Sequence, residues 1–389
     1  NYGSCVHHVR QLGILCGIKE IKLMATIRPL KMVKLAPGMG QPLSSRVQRD
    51  AWRLIGLGTA LAIIAMVMIA FMAPMVYMVT TSFKSDAQMT DPTHPLLPQS
   101  TVTFSYQGKD LPEYNVPVNG TIRQLALLEG TRAQSTFIDP ANPSGAPLIL
   151  PIRALTLTKV TRFDPAPQTY QTAIDRMDFP RALTNTLAIT LISSIGAVTS
   201  AALVAYGFSR FRIPGGNILF LVLMATIILP QQVTIIPAFI IYQKISWTST
   251  LLPLIVPHFF SNAYNVFLLR QYFMTIPNEM DEAAKVDGAN PLQTFLYVIV
   301  PQARAALVTV ALFHFLVIWS EFYNALIFTS GSQESQPLSV ALNRFQQLRG
   351  GQPNQMMAGA VLTMLVPVII FFLAQRTFTQ GVVITGVDK

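Results

Sequence analysis

Long apolar runs separated by short polar connections dominate this chain. The runs at 54–83, 182–209, 213–243, 245–269, 305–320 and 350–375 contain no Asp, Glu, Lys or Arg. Each meets or approaches the roughly 20 residues that a helix needs to cross a hydrocarbon core about 30 Å thick. The fifth run is the shortest and is interrupted by Glu321, but apolar residues resume through Ile327, which predicts a span there as well. Unbroken apolar runs favour helices over membrane strands, which alternate over roughly 10 residues. The pattern therefore predicts an all-α membrane protein with six transmembrane helices. Pro230, Pro237, Pro253 and Pro257 fall in the third and fourth runs and predict kinked or broken helices there.

The segment 84–168 breaks this pattern. "TVTFSY" alternates Val102, Phe104 and Tyr106 with polar residues, Asn119-Gly120 is a hairpin-turn signal, and "APLILPIRALTLTKVTRF" reads as one or two further strands. A small β-rich insertion is predicted, with a proline-rich loop as the alternative. "TYQTAIDRMDFPRAL" then predicts a short surface helix leading into the second span. The resulting organisation is a tail over 1–53, a first span over 54–83, the insertion over 84–168 and a transmembrane core over 169–389.

Composition agrees with the apolar pattern: 51% hydrophobic and 12% charged residues exclude an ordinary soluble domain. The net charge of +10 invites a nucleic-acid partner, but topology explains the basic residues better. Arg10, Lys19, Lys22, Arg28, Lys31, Lys34, Arg46, Arg49 and Arg53 precede the first span against only Glu20 and Asp50, which places the N-terminus in the cytoplasm. Six spans return Arg376 and Lys389 to the same side, put the insertion outside, and leave Arg210, Arg212, Arg270, Lys285 and Arg304 in cytoplasmic connections. Cys5 and Cys16 suggest neither a disulfide framework nor a metal site. The chain opens on Asn1, which reads as a misplaced start, with Met24 the candidate true start, or as a fragment, and residues 1–23 are given no function. No cleavable signal peptide is expected.

One polar connection has punctuation of its own. In "EAAKVDGANPLQTFLYVIVPQ", Pro277 fits a first helical turn whose Glu279, Asp281 and Glu282 suit the helix dipole. Gly288 fits the left-handed position that ends a helix. Asn290 caps a second helix with Pro291 at its first position, running to about Val300 before Pro301 interrupts it. A ten-residue helix is marginal alone in water, and is better explained as docked into a partner's groove. Ala283 and Ala284 would allow close approach, Val286 and Ala289 would add apolar contact, and Glu282 and Asp287 could pair with basic groups. An amphipathic loop on the bilayer would carry basic residues along its polar face, yet only Lys285 lies in the first helix.

The stretch 282–307 resembles the EAA loop of the permease subunits of bacterial ATP-binding-cassette (ABC) importers, with Glu282, Ala283, Ala284, Gly288 and Pro301 at the pattern's positions and Asp287 completing "DGA". "ALVAYGFSRFRIPG", "LLRQYFMTIPNEM", "WSEFYNAL" and "QRTFTQGVVITG" are similar to further segments of the MalG-like sugar permeases. The insertion is longer than that family usually carries. The resemblance implies a bacterial inner-membrane subunit that is not an enzyme and binds no cofactor. Its expected partners are two ATPase subunits holding ATP and Mg²⁺, a MalF-like second permease, an extracytoplasmic solute-binding protein and membrane lipid. No Walker A pattern occurs, since Gly108-Lys109 lacks both the glycine-rich loop and a following Ser or Thr.

Trp319, Glu321, Tyr323 and Asn324 are candidates for lining the solute pathway, because a sugar site combines an aromatic face with hydrogen-bonding groups. The alternative is an interfacial aromatic belt with Glu321 reaching headgroup water. His258 reads as a packing or hydrogen-bonded residue. The loop 331–353, with "QPLSVALNRF", is expected to face outside toward the binding protein. Carbohydrate is the expected cargo, with glycerol phosphate, a polyol or an oligopeptide-like solute as alternatives. A secondary transporter is the rival class; it would carry more ionisable groups inside its spans.

Overall fold

The computed structural model describes residues 43–90, 96–118, 120–131, 133–347 and 352–383. Most of the expected tail, together with Asn119 and Gly350, lies outside them. The chain divides into two units, Asn1–Phe71 and Met72–Lys389.

Helix α1, Leu43–Ser82, begins in the first unit and ends in the second. It starts ahead of the expected boundary at residue 54, because backbone hydrogen bonding extends through helix-forming Arg, Gln and Ala whether or not they are apolar. Its apolar part is Trp52–Ser82, with a mean hydropathy of 2.5.

Residues 99–163 of the second unit form sheets rather than a proline-rich loop. Strands β1 (Gln99–Thr101), β2 (Thr103–Tyr106), β3 (Lys109–Val118), β4 (Thr121–Gly130), β5 (Ser135–Ile138), β6 (Leu148–Leu150), β7 (Thr158–Lys159) and β8 (Thr161–Phe163) follow in chain order. β2 to β6 pair consecutively, β7 adds to β3, and β1 pairs with β8. The β3–β4 hairpin pairs Val118 with Thr121, across Gly120 at φ +83°. Val116, Leu125 and Phe137 are fully buried on one side of the sheet, while Leu111, Ala126 and Ile138 pack with Phe104 and Tyr106 in a separate cluster. The two ends of the insertion meet at Lys84, whose carbonyl accepts from Thr169 Oγ1 and Asn354 Nδ2, both at 3.0 Å.

The remaining helices are α2 (Gln168–Met177), α3 (Phe179–Arg210), α4 (Gly216–Ala225), α5 (Gln231–Lys244), α6 (Ala263–Phe273), α7 (Glu279–Val286), α8 (Arg304–Trp319), α9 (Leu338–Gln347) and α10 (Pro353–Val383), with shorter turns between them. Among the described residues, Trp52–Ser82, Phe179–Arg210, Leu252–Phe273 and Pro353–Gln375 are long and apolar enough to cross a membrane. Two bent pairs would bring the number to six if each is one span: Gly216–Ile228 with Gln232–Lys244 at 96°, and Pro291–Gln302 with Arg304–Trp319 at 80°.

The prolines explain much of this bending. Pro230 sits extended in the first break at ψ 133°, and Pro253 and Pro257 start short turns within Leu252–Phe273. Two expectations are corrected. Pro301 does not end the hairpin's second helix: Phe295–Ile299 widens into a π-turn that accommodates the missing N–H, and the chain bends instead at Ala303. The fifth run does not continue through Ile327 as one helix. It stops at Trp319, and the Glu321 carboxylate accepts the Asn324 N–H at 3.1 Å to start a separate helix, Tyr323–Phe328.

The small face of α3, with Ala201, Ala202 and Ala205, packs in one core cluster with Val266, Leu269 and Phe273 of α6. A second cluster joins α2, α8, α9 and α10 through Met177, Phe315, Phe345 and Ala358. Within the expected loop 331–353, Leu338–Gln347 folds as α9, with Leu338, Ala341 and Phe345 buried, and residues 348–351 lie outside the described residues.

Candidate functional site

The first arm of the polar hairpin is α7, with Glu279, Asp281 and Glu282 in its first turn. Its end is a Schellman closure, in which Gly288 N–H donates to the Lys285 carbonyl at 3.0 Å and Ala289 N–H to the Ala284 carbonyl at 2.9 Å. Gly288 holds φ +82°, the left-handed conformation that this closure requires. The second arm opens on a reciprocal cap: Gln293 N–H donates to Asn290 Oδ1 at 2.9 Å, and Asn290 N–H to Gln293 Oε1 at 2.8 Å. Phe295, Ile299 and Ala303 then root this arm in the α3–α6 core.

The two alanines separate. Successive helical residues point about 100° apart, so Ala284 packs inward while Ala283 stays exposed. Ala284, expected beside Ala283 in one patch, is thus buried, and the exposed side of α7 carries Glu279, Glu282, Ala283 and Val286. Val286, a large apolar side chain, is 89% exposed. Asp287 and Gly288 are also exposed, while Ala289 and Pro301 are half-buried.

Asp281 turns the opposite way. Its Oδ2 lies 2.6 Å from Arg210 Nε, and both side chains are less than a tenth exposed. The angle departs from that of a hydrogen bond, and Asp281 Oδ1 has no hydrogen-bond partner among the described residues. Arg210 also donates from Nη1 to Asn278 Oδ1 and from Nη2 to the Ile276 carbonyl, each at 2.9 Å. One turn earlier on α3, the Tyr206 hydroxyl donates to the Pro291 carbonyl at 3.2 Å, and its ring lies 5.0 Å from that of Phe295.

Elsewhere in the same unit is a cavity of about 380 Å³. Thr186 and Thr190 of α3, Asn265 of α6, His258, and His314 of α8 are among the polar residues of a lining that also carries many apolar side chains. The Asn265 amide nitrogen lies 3.3 Å from His314 Nδ1, and the rings of His258 and His314 meet edge to face at 5.0 Å.

Relatives with assigned roles match about half of the chain. The sequence profile described as "Binding-protein-dependent transport system inner membrane component" covers residues 197–384. The osmoprotective compounds uptake permease protein GgtD of Synechocystis sp. is 31% identical over 212 residues, covering 54% of this chain and 70% of that protein. The sn-glycerol-3-phosphate transport system permease protein UgpE of Pectobacterium atrosepticum is 31% identical over 210 residues, covering 53% and 73%. The chain belongs to the binding-protein-dependent transport system inner membrane components. It is an ABC importer permease. Its fold is similar to that of a chain in the crystal structure of a bacterial ABC transporter involved in the import of the acidic polysaccharide alginate, with a TM-score of 0.56 and 20% identity over 84% of this permease and 96% of that chain.

Of the residues expected along the permease's pathway, Trp319, Glu321 and Asn324 line the cavity and Tyr323 does not. Tyr323 is 70% exposed and meets the Phe322 ring instead. Trp319 is buried, stacks on Phe315 at 5.6 Å and donates from Nε1 to the Thr363 carbonyl at 3.3 Å. Arg210, Tyr206, Asn265 and His314 were not singled out as site residues by the sequence. The signal available for the last two was polar groups inside apolar runs, which is costly in a membrane unless they serve a purpose.

Proposed function

We propose that this permease forms six membrane spans with both termini in the cytoplasm, and that its hairpin docks into a cleft of a separate ATPase subunit. The observation that carries this reading is the exposed Glu279, Glu282, Ala283 and Val286 face, on a short helix closed at its C-terminus by Gly288 and followed by a capped second arm. The small Ala283 side chain lets a groove approach the backbone, Val286 supplies an apolar anchor, and Glu282 and Asp287 offer partners for basic groups. Closure of two ATP-loaded ATPase subunits displaces the hairpins of this chain and of a second, MalF-like permease. The pathway between them then opens alternately to each side, receiving solute from an extracytoplasmic binding protein. ATP and Mg²⁺ belong to the ATPase, and this chain supplies no catalytic group.

A carbohydrate is the proposed cargo. The Thr186, Asn265, Glu321 and Asn324 side chains present hydrogen-bonding groups to the cavity, with Trp319 beside them, a lining suited to a hydroxylated solute. Glycerol phosphate is the second reading, favoured by the UgpE relatives. The sheets of 99–163 are assigned to the extracytoplasmic side, and α9 to the surface that meets the binding protein. Purification in mild detergent with mass spectrometry of the accompanying chains tests the assembly: an ATPase, a second permease and a binding protein support it, and a chain that purifies alone after cross-linking contradicts it.

A further inference from the structure

A single face of α3 holds both arms of the hairpin. Tyr206 and Arg210 stand four residues apart and so share that face. Arg210 grips the first arm through Asp281, Asn278 and the Ile276 carbonyl, and Tyr206 grips the second through the Pro291 carbonyl and the Phe295 ring. From these residues α3 runs as an unbroken helix back to Thr186 and Thr190 in the cavity wall, about 24–36 Å away at about 1.5 Å per residue.

We propose that Tyr206 and Arg210 form a clamp that makes the hairpin and α3 move as one body, carrying a displacement of the hairpin to the cavity wall. This rests on the reading of the hairpin as the ATPase contact. Stability alone is a poor explanation for the ion pair, because replacing a buried pair with neutral groups is often harmless or favourable. Here the pair also leaves Asp281 Oδ1 without a partner among the described residues. What the charges add is direction: the guanidinium fork meets three groups of one arm in fixed geometry, and the phenol adds a second point on the other arm. Two points of attachment resist rotation of the hairpin about α3, which one point would not.

The test uses the assembled importer in lipid nanodiscs, with Cys5 and Cys16 replaced by serine. Asn324→Cys reports the cavity, and Ala283→Cys, in a parallel preparation, reports docking. Both are labelled with a maleimide, without nucleotide and with ATP plus vanadate. In the parent, trapping ATP is expected to change the Asn324→Cys labelling rate about tenfold, while the ATPase shields Ala283→Cys. In the double variant Arg210→Gln/Asp281→Asn, which leaves no buried charge unpaired, the shielding stays and the cavity response falls to within about twofold. Tyr206→Phe, which removes one hydroxyl, gives an intermediate response. A double variant that keeps both shielding and the full cavity response overturns the clamp alone. A parent whose Ala283→Cys is never shielded overturns the docking reading and the clamp with it. A parent whose cavity label ignores ATP, or a double variant whose shielding and cavity response are lost together, also overturns the clamp.

Discussion

Gly288 offers the sharpest perturbation of the hairpin, because its environment separates two physical causes. A Cβ built at this position meets nothing within 4 Å, so an added side chain has room. The backbone, however, sits at φ +82°, where a side chain costs about 1–2 kcal/mol. Gly288→Val therefore strains the bend although its Cβ has open space, and at about tenfold per 1.4 kcal/mol it depletes the docked geometry roughly tenfold. Asparagine tolerates the left-handed region much better, so Gly288→Asn should recover most of the loss. The assay is the dissociation constant of the purified ATPase for the permease in nanodiscs. Wild-type affinity in Gly288→Val, or equal losses in the valine and asparagine variants, would refute the argument from backbone conformation.

Other outcomes follow from the same geometry. Asn290→Ala removes one half of the reciprocal cap and should cost about 1 kcal/mol, read as weaker ATPase binding than wild type but stronger than Gly288→Val. Gly196→Ala would place a methyl group 2.6 Å from the Phe259 ring and should destabilise the permease by about 1–3 kcal/mol, lowering its Tm in detergent. Gly207→Ala, on the same helix with nothing within 4 Å, should hold or raise Tm, since alanine is favoured over glycine by about 0.5–1 kcal/mol in a helix. In a reconstituted importer, Asn324→Ala should raise the KM for solute several-fold through a lost hydrogen bond of about 1 kcal/mol. Tyr323→Ala should leave KM unchanged, because its side chain lies outside the cavity.

What was legible in the sequence was local. The left-handed Gly288, the Asn290 cap and Pro291 at the first helical position depend on residues within a few places of one another, and the backbone adopts what they dictate. Pro230 and Pro257 announced irregular helices for the same reason. The division of labour between Ala283 and Ala284 was hidden because it depends on which way α7 is rotated against the core. Asp281 looked like one more acid at a helix start, and its pairing with Arg210, 71 positions away, is a product of the fold. The strand β3 was obscured by Pro112, Pro117 and its charged residues, yet it buries Leu111, Tyr114 and Val116 against its neighbours. The cavity gathers Asn265 from one stretch of chain and His314 and Glu321 from another, so no local spacing links the two.

Cross-linking on α7 tests the central claim most directly. A single cysteine at Ala283 or at Ala284, in a chain lacking Cys5 and Cys16, would be treated with a short thiol-to-amine cross-linker in membranes containing the whole importer. Docking through the exposed face predicts an adduct with the ATPase from Ala283→Cys and little or none from the inward-facing Ala284→Cys. No adduct from Ala283→Cys, or equal adducts from both, would contradict the proposal that this face meets the ATPase.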